Sequence, residues 1–290
     1  MQPLRPSWQR WPHLQARRLL HALLPSTCAL CGGCGGPARE AVCGPCQAAY
    51  VLARTRCPCC ANPLGPLDAG RRCGGCLAEA PAFDATVAGC DYAAPLDGLV
   101  LQLKFGAGLA LAPWMARVLR DAVLAAALPA LPDVLCPVPL GARRLVERGY
   151  NQALEVARPL AAAMGVALAP QLLLRTRETA AQSGAAPGER RNNVRGAFSV
   201  NADAALRGRH VGVVDDVMSS GHTLDEIAAV LKDAGASPRD SGPNTNTSPG
   251  LKLHSANGEE PWVVMANMRA RSGWVSAKKA SQSLCTFMLA

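Results

Sequence analysis

The chain has 290 residues, 49% hydrophobic and 18% charged, with a formal net charge of +9. That balance fits one or two globular domains with a sizeable core and excludes a disordered or fibrous chain. Aromatics are only 4%, so the core is expected to be aliphatic, and the longest apolar run, Leu160–Leu174, is too short and too interrupted by Pro170 and Gln171 to span a membrane.

Residues 1–25 form a first segment. It carries Arg5, Arg10, Arg17 and Arg18 without an apolar core of signal-peptide length. Its acid-free character also suits a transit peptide; a short surface helix over Leu14–Leu24 is the simpler expectation, and a cytoplasmic location goes with it.

Residues 26–80 are dominated by cysteine. Of thirteen in the chain, ten lie between Cys28 and Cys76. Four Cys-x-x-Cys pairs stand out: Cys28/Cys31, Cys43/Cys46, Cys57/Cys60 and Cys73/Cys76. A two-residue gap lets both sulfurs of a pair reach one metal from a tight turn, and two pairs complete a tetrahedral thiolate site. Eight ligands therefore predict two structural zinc ions in a double zinc ribbon. A disulfide framework would need an oxidising compartment and an export signal, and neither is legible. Cys31/Cys34 has the same gap and Cys59 sits inside the third pair, so the pairing into sites stays open. Cys90 and Cys136 lie in apolar segments and are expected to be buried small hydrophobes. With eight thiolates and two divalent ions, the charge of +9 falls by eight and rises by four, to +5. That excess suits the phosphates of a small molecule as well as it suits DNA.

Residues 81–236 read as an α/β domain. Leu101-Gln-Leu-Lys-Phe105 is helical in pattern and carries Lys104. Asp133-Val-Leu-Cys-Pro-Val-Pro-Leu140 reads as strand then loop, and a helix follows Arg148-Gly-Tyr-Asn-Gln-Ala153. Pro159 is expected to kink that helix or to mark a new start. Gly184, Pro187 and Gly188 mark a long loop between Arg175 and Phe198. Val211-Gly-Val-Val214 is a buried-strand run. Asp215 and Asp216 follow, then Val217-Met-Ser-Ser-Gly-His-Thr223 and an amphipathic helix through Leu224, Ile227, Ala228 and Leu231. Thr223 and Glu226 have the spacing of a capping box. Backbone N–H groups of Ser219–Thr223, with the helix dipole, would cradle a monoester phosphate. The two carboxylates would accept hydrogen bonds from vicinal hydroxyls.

This order resembles the phosphoribosyltransferase motif, with Ser219-Ser220 where Thr-Thr is usual. From about Cys28 to Ala236 the chain resembles the ComF/GntX family. The resemblance implies a phosphoribosyltransferase-like, mainly parallel sheet behind an N-terminal double zinc ribbon, binding 5-phosphoribosyl pyrophosphate (PRPP) or a related ligand with Mg²⁺. Asp215 and Asp216 would hold the ribose. Val217, Met218, Ser219, Ser220, Gly221, His222 and Thr223 would hold its 5-phosphate. Lys104, Arg143, Arg144 and Arg148 are the pyrophosphate candidates, and the segment after Arg175 would be a mobile loop closing over the site. Family membership also implies a role in natural competence. The alternatives to an enzyme are therefore an accessory protein of DNA uptake, with weak contact to DNA or to a competence protein, and a nucleotide sensor without turnover.

After Ala236 the resemblance ends. Ser237–Gly250 has linker composition, and Trp262–Ala266 is the one later strand candidate. Residues 237–290 are expected to be a divergent, poorly ordered tail that leaves an edge of the sheet uncovered.

Overall fold

The computed structural model describes residues 27–33, 40–106, 108–126, 128–178, 192–202, 204 and 206–235, and the backbone of a strand at 263–270. The expected helix Leu14–Leu24, Cys34 of the alternative pair Cys31/Cys34 and the loop 179–191 lie outside the described residues. Contacts divide the chain into two compact units, Met1–Tyr50 and Val51–Ala290. The division falls inside the cysteine-rich stretch, so each cysteine quartet belongs to a different unit.

In the first unit, Cys28, Cys31, Cys43 and Cys46 come together, followed by the short helix α1 (Gly44–Tyr50). The second unit opens with Cys57, Cys60, Cys73 and Cys76, the last of them on helix α2 (Gly74–Ala78). It continues into strand β1 (Ala85–Tyr92). Asp91 of β1 accepts from Arg56 at 2.8 Å and pairs with Arg54 at 2.9 Å, which ties the second quartet's turn to the sheet.

After β1 come α3 (Leu96–Phe105), α4 (Ala112–Ala125) and β2 (Val134–Pro137). Then follow α5 (Ala142–Arg148), α6 (Gln152–Met164) and the short β3 (Ala167–Leu168). A two-stranded antiparallel ribbon, β4 (Leu173–Arg175) with β5 (Phe198–Val200), precedes β6 (Val211–Met218) and α7 (His222–Asp233). Strand β7 (Val263–Ala270) is the last described element. The main sheet has the order β1-β7-β6-β2-β3, and every pairing in it is parallel. This is the α/β, mainly parallel fold that the sequence implies.

Two expectations are corrected. The segment after Ala236 does not leave the sheet without its strand: β7 lies between β1 and β6, with Ala85 opposite Val263 and Val213 opposite Val264. Parallel pairing on both sides gives its backbone N–H and C=O groups partners along most of its length. Pro159 does not mark a new helix start, one of the two outcomes expected there, because α6 runs through it from Gln152 to Met164. The proline removes one donor toward the preceding turn, and burial of Val156, Ala157, Leu160 and Ala161 on one face holds the helix together.

Helices α4 and α6 pack on each other and on the sheet. Alternate residues of β6, Val211 and Val213, join a second cluster with Leu224, Ile227, Ala228 and Leu231 of α7. Cys57, Cys59, Cys76 and Phe83 belong to that same cluster. The second cysteine quartet therefore shares a core with the helix that follows β6. Asp225 accepts from the Ala82 N–H at 2.6 Å, and Lys232 pairs with Asp84 at 3.1 Å, on the same seam. Cys90 and Cys136 are buried, at 1% and 0% exposure, as their apolar surroundings predict.

Candidate functional site

The sheet order decides where a ligand can sit. The chain leaves β2 toward β3 on one side and leaves β6 toward β7 on the other, yet β2 and β6 are neighbours. Their carboxyl ends thus diverge and open a crevice, the place where open α/β sheets bind ligands. A cleft of about 270 Å³ occupies this point. It is bordered by Asp215–Leu224, by Val138–Leu140 after β2, by Arg144 and Arg148, by Asn151–Ala153, and by Lys104 and Arg175.

The floor is the loop from β6 into α7. Gly221 adopts φ +88°, and a Cβ there would come within 2.8 Å of the Met218 methyl, so the turn needs glycine. The expected capping box is not made. Helix α7 begins at His222 after Gly221 and carries no side-chain cap; Glu226 instead accepts from the Gly196 N–H at 2.6 Å. The first-turn N–H groups of a helix have no intrahelical acceptor, and Gly221 at the cap position has no side chain to offer them, an arrangement that anion cradles use.

At the end of β6 the two carboxylates are held by backbone. Asp215 Oδ1 accepts from the Asp216 N–H at 2.8 Å, and Asp216 Oδ1 accepts from the Val217 N–H at 2.9 Å. Lys104 Nζ lies 2.8 Å from Asp216 Oδ2. Burial, and then the neighbouring Asp216 charge, push the Asp215 carboxyl up to about 8, with Lys104 working in the opposite direction.

The opposite wall comes from the stretch Arg148–Gln152, in which each residue has its own task. Arg148 borders the cleft and stacks 4.9 Å over the Phe105 ring. Gly149, at φ +77°, ends α5 in the left-handed conformation. The Tyr150 hydroxyl donates to the Leu103 carbonyl. Asn151 caps α6 by accepting from Ala153 and Leu154 N–H, and its amide donates to the Val138 carbonyl at 2.9 Å. Gln152 is 2% exposed at the edge of the cleft, and its Nε2 has no hydrogen-bond partner.

Of the expected cationic residues, Lys104, Arg144 and Arg148 reach the cleft. Arg143 does not border it: its side chain is 66% exposed and pairs with Glu147 one turn on, at 3.8 Å. Arg175 takes its place. It borders the cleft from β4, donates to the Pro139 carbonyl at 3.4 Å and stacks 5.2 Å from Phe198. Sequence reading placed Arg175 only at the mouth of a loop, whereas it is the last residue of β4, paired with Phe198 of β5.

No cysteine of the quartets lines this cleft. In each, the four sulfurs lie within 4.8 Å of one another. A tetrahedral ion with Zn–S bonds of about 2.3 Å sets its sulfurs about 3.8 Å apart. Cys31 and Cys43 sulfurs are 3.9 Å apart, and those of Cys60 and Cys73 3.6 Å. Backbone N–H groups of Leu30 and Cys43 point at the Cys28 sulfur. Burial opposes ionisation of Cys28, yet these and other backbone donors bring it down to about 6. Both quartets thus fit structural zinc. Cys59 is a ninth, buried thiol beside the second quartet, and donates to the Phe83 carbonyl at 3.9 Å.

Among the described residues no helix is long and apolar enough to cross a membrane. Residues 19–77 match the double zinc ribbon domain family. A DNA utilization protein YhgH from Salmonella typhi is 36% identical over 217 residues, covering 73% of this chain and 93% of that protein. Competence protein F of Haemophilus influenzae is 32% identical over 213 residues, covering 72% and 91%. Among solved structures, a glutamine PRPP amidotransferase from B. subtilis complexed with ADP and GMP aligns at 20% identity with a TM-score of 0.31. That alignment takes in 55% of this chain and 36% of the other. Relatives at this identity, matched over nearly their full length, and a double zinc ribbon ahead of a parallel α/β sheet place the chain in the ComF/GntX family.

Proposed function

We propose that the cleft binds a 5-phosphoribosyl ligand bearing a diphosphate, PRPP in the first instance. One observation carries this reading: α7 presents an uncapped N-terminus, begun at Gly221, beside two adjacent carboxylates at the point where β2 and β6 diverge. A sugar with one phosphate and two vicinal hydroxyls matches that juxtaposition. In this reading the 5-phosphate rests on the backbone N–H groups of Ser219–Thr223, with the serine and threonine hydroxyls adding donors. Asp215 and Asp216 accept from the ribose hydroxyls. Arg144, Arg148 and Arg175 face the diphosphate. Mg²⁺ would ride on the diphosphate oxygens and neutralise part of their charge.

A transfer reaction here would break the C1–O bond to the diphosphate, whose oxygen keeps the electron pair, form a bond from C1 to the lone pair of an acceptor nucleophile, and build positive charge on the sugar between the two. The three arginines would stabilise the departing diphosphate, and the acid pair would lie near the developing cation. The names of the two relatives favour a second reading, a part in DNA uptake or utilisation. In it the same cleft would sense a nucleotide without turnover, and contact with DNA would be weak and independent of sequence. Among the described residues the arginines are scattered, with no basic strip interleaved with aromatics of the kind single-strand binders use.

Calorimetry with PRPP and Mg²⁺ tests the first reading. The double variant Asp215→Ala, Asp216→Ala should lose roughly 1.5–3 kcal/mol for each hydrogen bond removed from a charged acceptor. Equal binding by the wild type and the double variant would place the ligand elsewhere. A mobility-shift assay tests the second: sharp sequence preference at physiological salt would contradict it, whereas a steep fall in binding with added salt fits backbone contacts alone.

A further inference from the structure

We propose that Lys104 is the positioning residue of the acidic pair, fixing Asp216 at the end of β6, and is not a contact for diphosphate. The inference rests on the reading of the cleft as a phosphoribosyl site. Lys104 stands in the last turn of α3, and its Nζ is 2.8 Å from Asp216 Oδ2, with side-chain exposures of 23% and 13%. The other oxygen of Asp216 accepts from Val217 N–H. One oxygen of that carboxylate is thus fixed by a backbone hydrogen bond, and the other, buried and without a hydrogen-bond partner, has the Lys104 ammonium beside it as its counter-charge.

The lysine is not an incidental surface charge, because its neighbours in sequence are pinned. Leu103 is fully buried and its carbonyl accepts from Tyr150, while Phe105 lies under Arg148. The end of α3 is thus attached to the Arg148–Gln152 stretch and, through Lys104, to β6. A diphosphate drawing Lys104 away would leave a partly buried carboxylate without its counter-charge, which is unfavourable. The diphosphate has Arg144, Arg148 and Arg175 to meet it.

Two carboxylates on successive residues repel each other, and one of them takes up a proton unless a cation intervenes. The groups around the pair are Lys104 from α3, Tyr92 from β1, Arg144 and Arg148 from α5, Arg175 from β4 and His222 from α7. Of these, Lys104 makes the direct ion pair with Asp216. It therefore sets a cation against Asp216, the member of the pair left to accept from a diol near neutral pH while Asp215, raised to about 8, holds its proton.

The test uses the full chain with its zinc, the variants Lys104→Met and Lys104→Arg, and two probes. Ribose 5-phosphate carries the diol and the monoester; inorganic pyrophosphate with Mg²⁺ carries neither. Lys104→Met is expected to weaken ribose 5-phosphate about tenfold at pH 7, a loss of about 1.4 kcal/mol. It should move the onset of that binding to higher pH and leave pyrophosphate within about twofold. Lys104→Arg should restore most of the loss. In the ligand-free protein, carboxyl-carbon NMR should show Asp215 titrating higher in Lys104→Met than in the wild type. A fall in pyrophosphate affinity with ribose 5-phosphate unchanged would overturn the proposal, as would an unmoved Asp215 titration. If the wild type does not bind ribose 5-phosphate, the phosphoribosyl reading is lost; the ligand-free titration then decides the role of Lys104 alone.

Discussion

At Gly221 the backbone turns at φ +88° and passes the Met218 methyl closely. Gly221→Ala should cost about 1–2 kcal/mol from the left-handed backbone alone, read as a lower midpoint in urea, and should weaken any phosphate held by the loop. Asp215 gives a pH signature of its own. Its carboxyl is raised to about 8, largely by burial, so between about pH 4 and pH 8 the native state holds a proton that the unfolded chain releases. Stability from this group is present in full below the unfolded value and is lost as pH rises through the folded one. Asp215→Asn should therefore be more stable than the wild type, by a margin that grows from pH 5 to pH 8 in denaturant titrations; a constant margin would contradict this. Asp215, Asp216 and Ser219–Thr223 were legible because chemistry and order coincide in one short stretch. Arg175 was not: its inward turn depends on pairing with β5, which the sequence does not display locally. Glu226 misled because its capping-box spacing is real, while Gly196, far away in sequence, supplies the N–H it accepts from.

The elements around the second quartet show how metal and sheet depend on each other. Cys57 and Cys76 share a buried cluster with Ile227 and Leu231 of α7, so the ribbon turn is part of the core against which α7 packs. Metal analysis of protein purified without chelator should find two zinc ions per chain. Replacing Cys57 and Cys60 by serine should remove one ion and lower the melting temperature of the α/β unit. Replacing Cys28 and Cys31 should remove the other ion and leave that melting transition in place, since Cys28 belongs to the Met1–Tyr50 unit. Ile227→Ala should cost about 2–5 kcal/mol in the α/β transition. The cysteine spacings made the quartets readable, because a metal knuckle is a local device. The sharing of a core between Cys57 and α7 was not readable, since it joins residues far apart in the chain through Phe83 and Met218.

At the scale of the whole molecule the informative strand is β7. Sequence reading discounted it for two reasons: a turn-rich stretch separates it from α7, and the apolar run Trp262–Ala266 is short and follows Glu259, Glu260 and Pro261. The pairing on both sides overrides that composition, with Val217 opposite Met268 and Cys90 opposite that same residue. Amides of Val263–Ala270 should accordingly exchange as slowly as those of β6, and fast exchange there would restore the picture of an unattached tail. A chain cut after Ala236 should be poorly soluble, because β1 and β6 would each keep an unpaired edge. The placement of β7 also fixes an order of events during synthesis. Strands β2 and β6, with α7, pair without β7, so the cleft's own framework can assemble while the ribosome is still at work. The two halves of the sheet join only when residues 263–270 emerge; until then a nascent chain carries two open strand edges, and its yield in the cell should depend on chaperone supply and translation rate more than that of a chain whose central strand comes early.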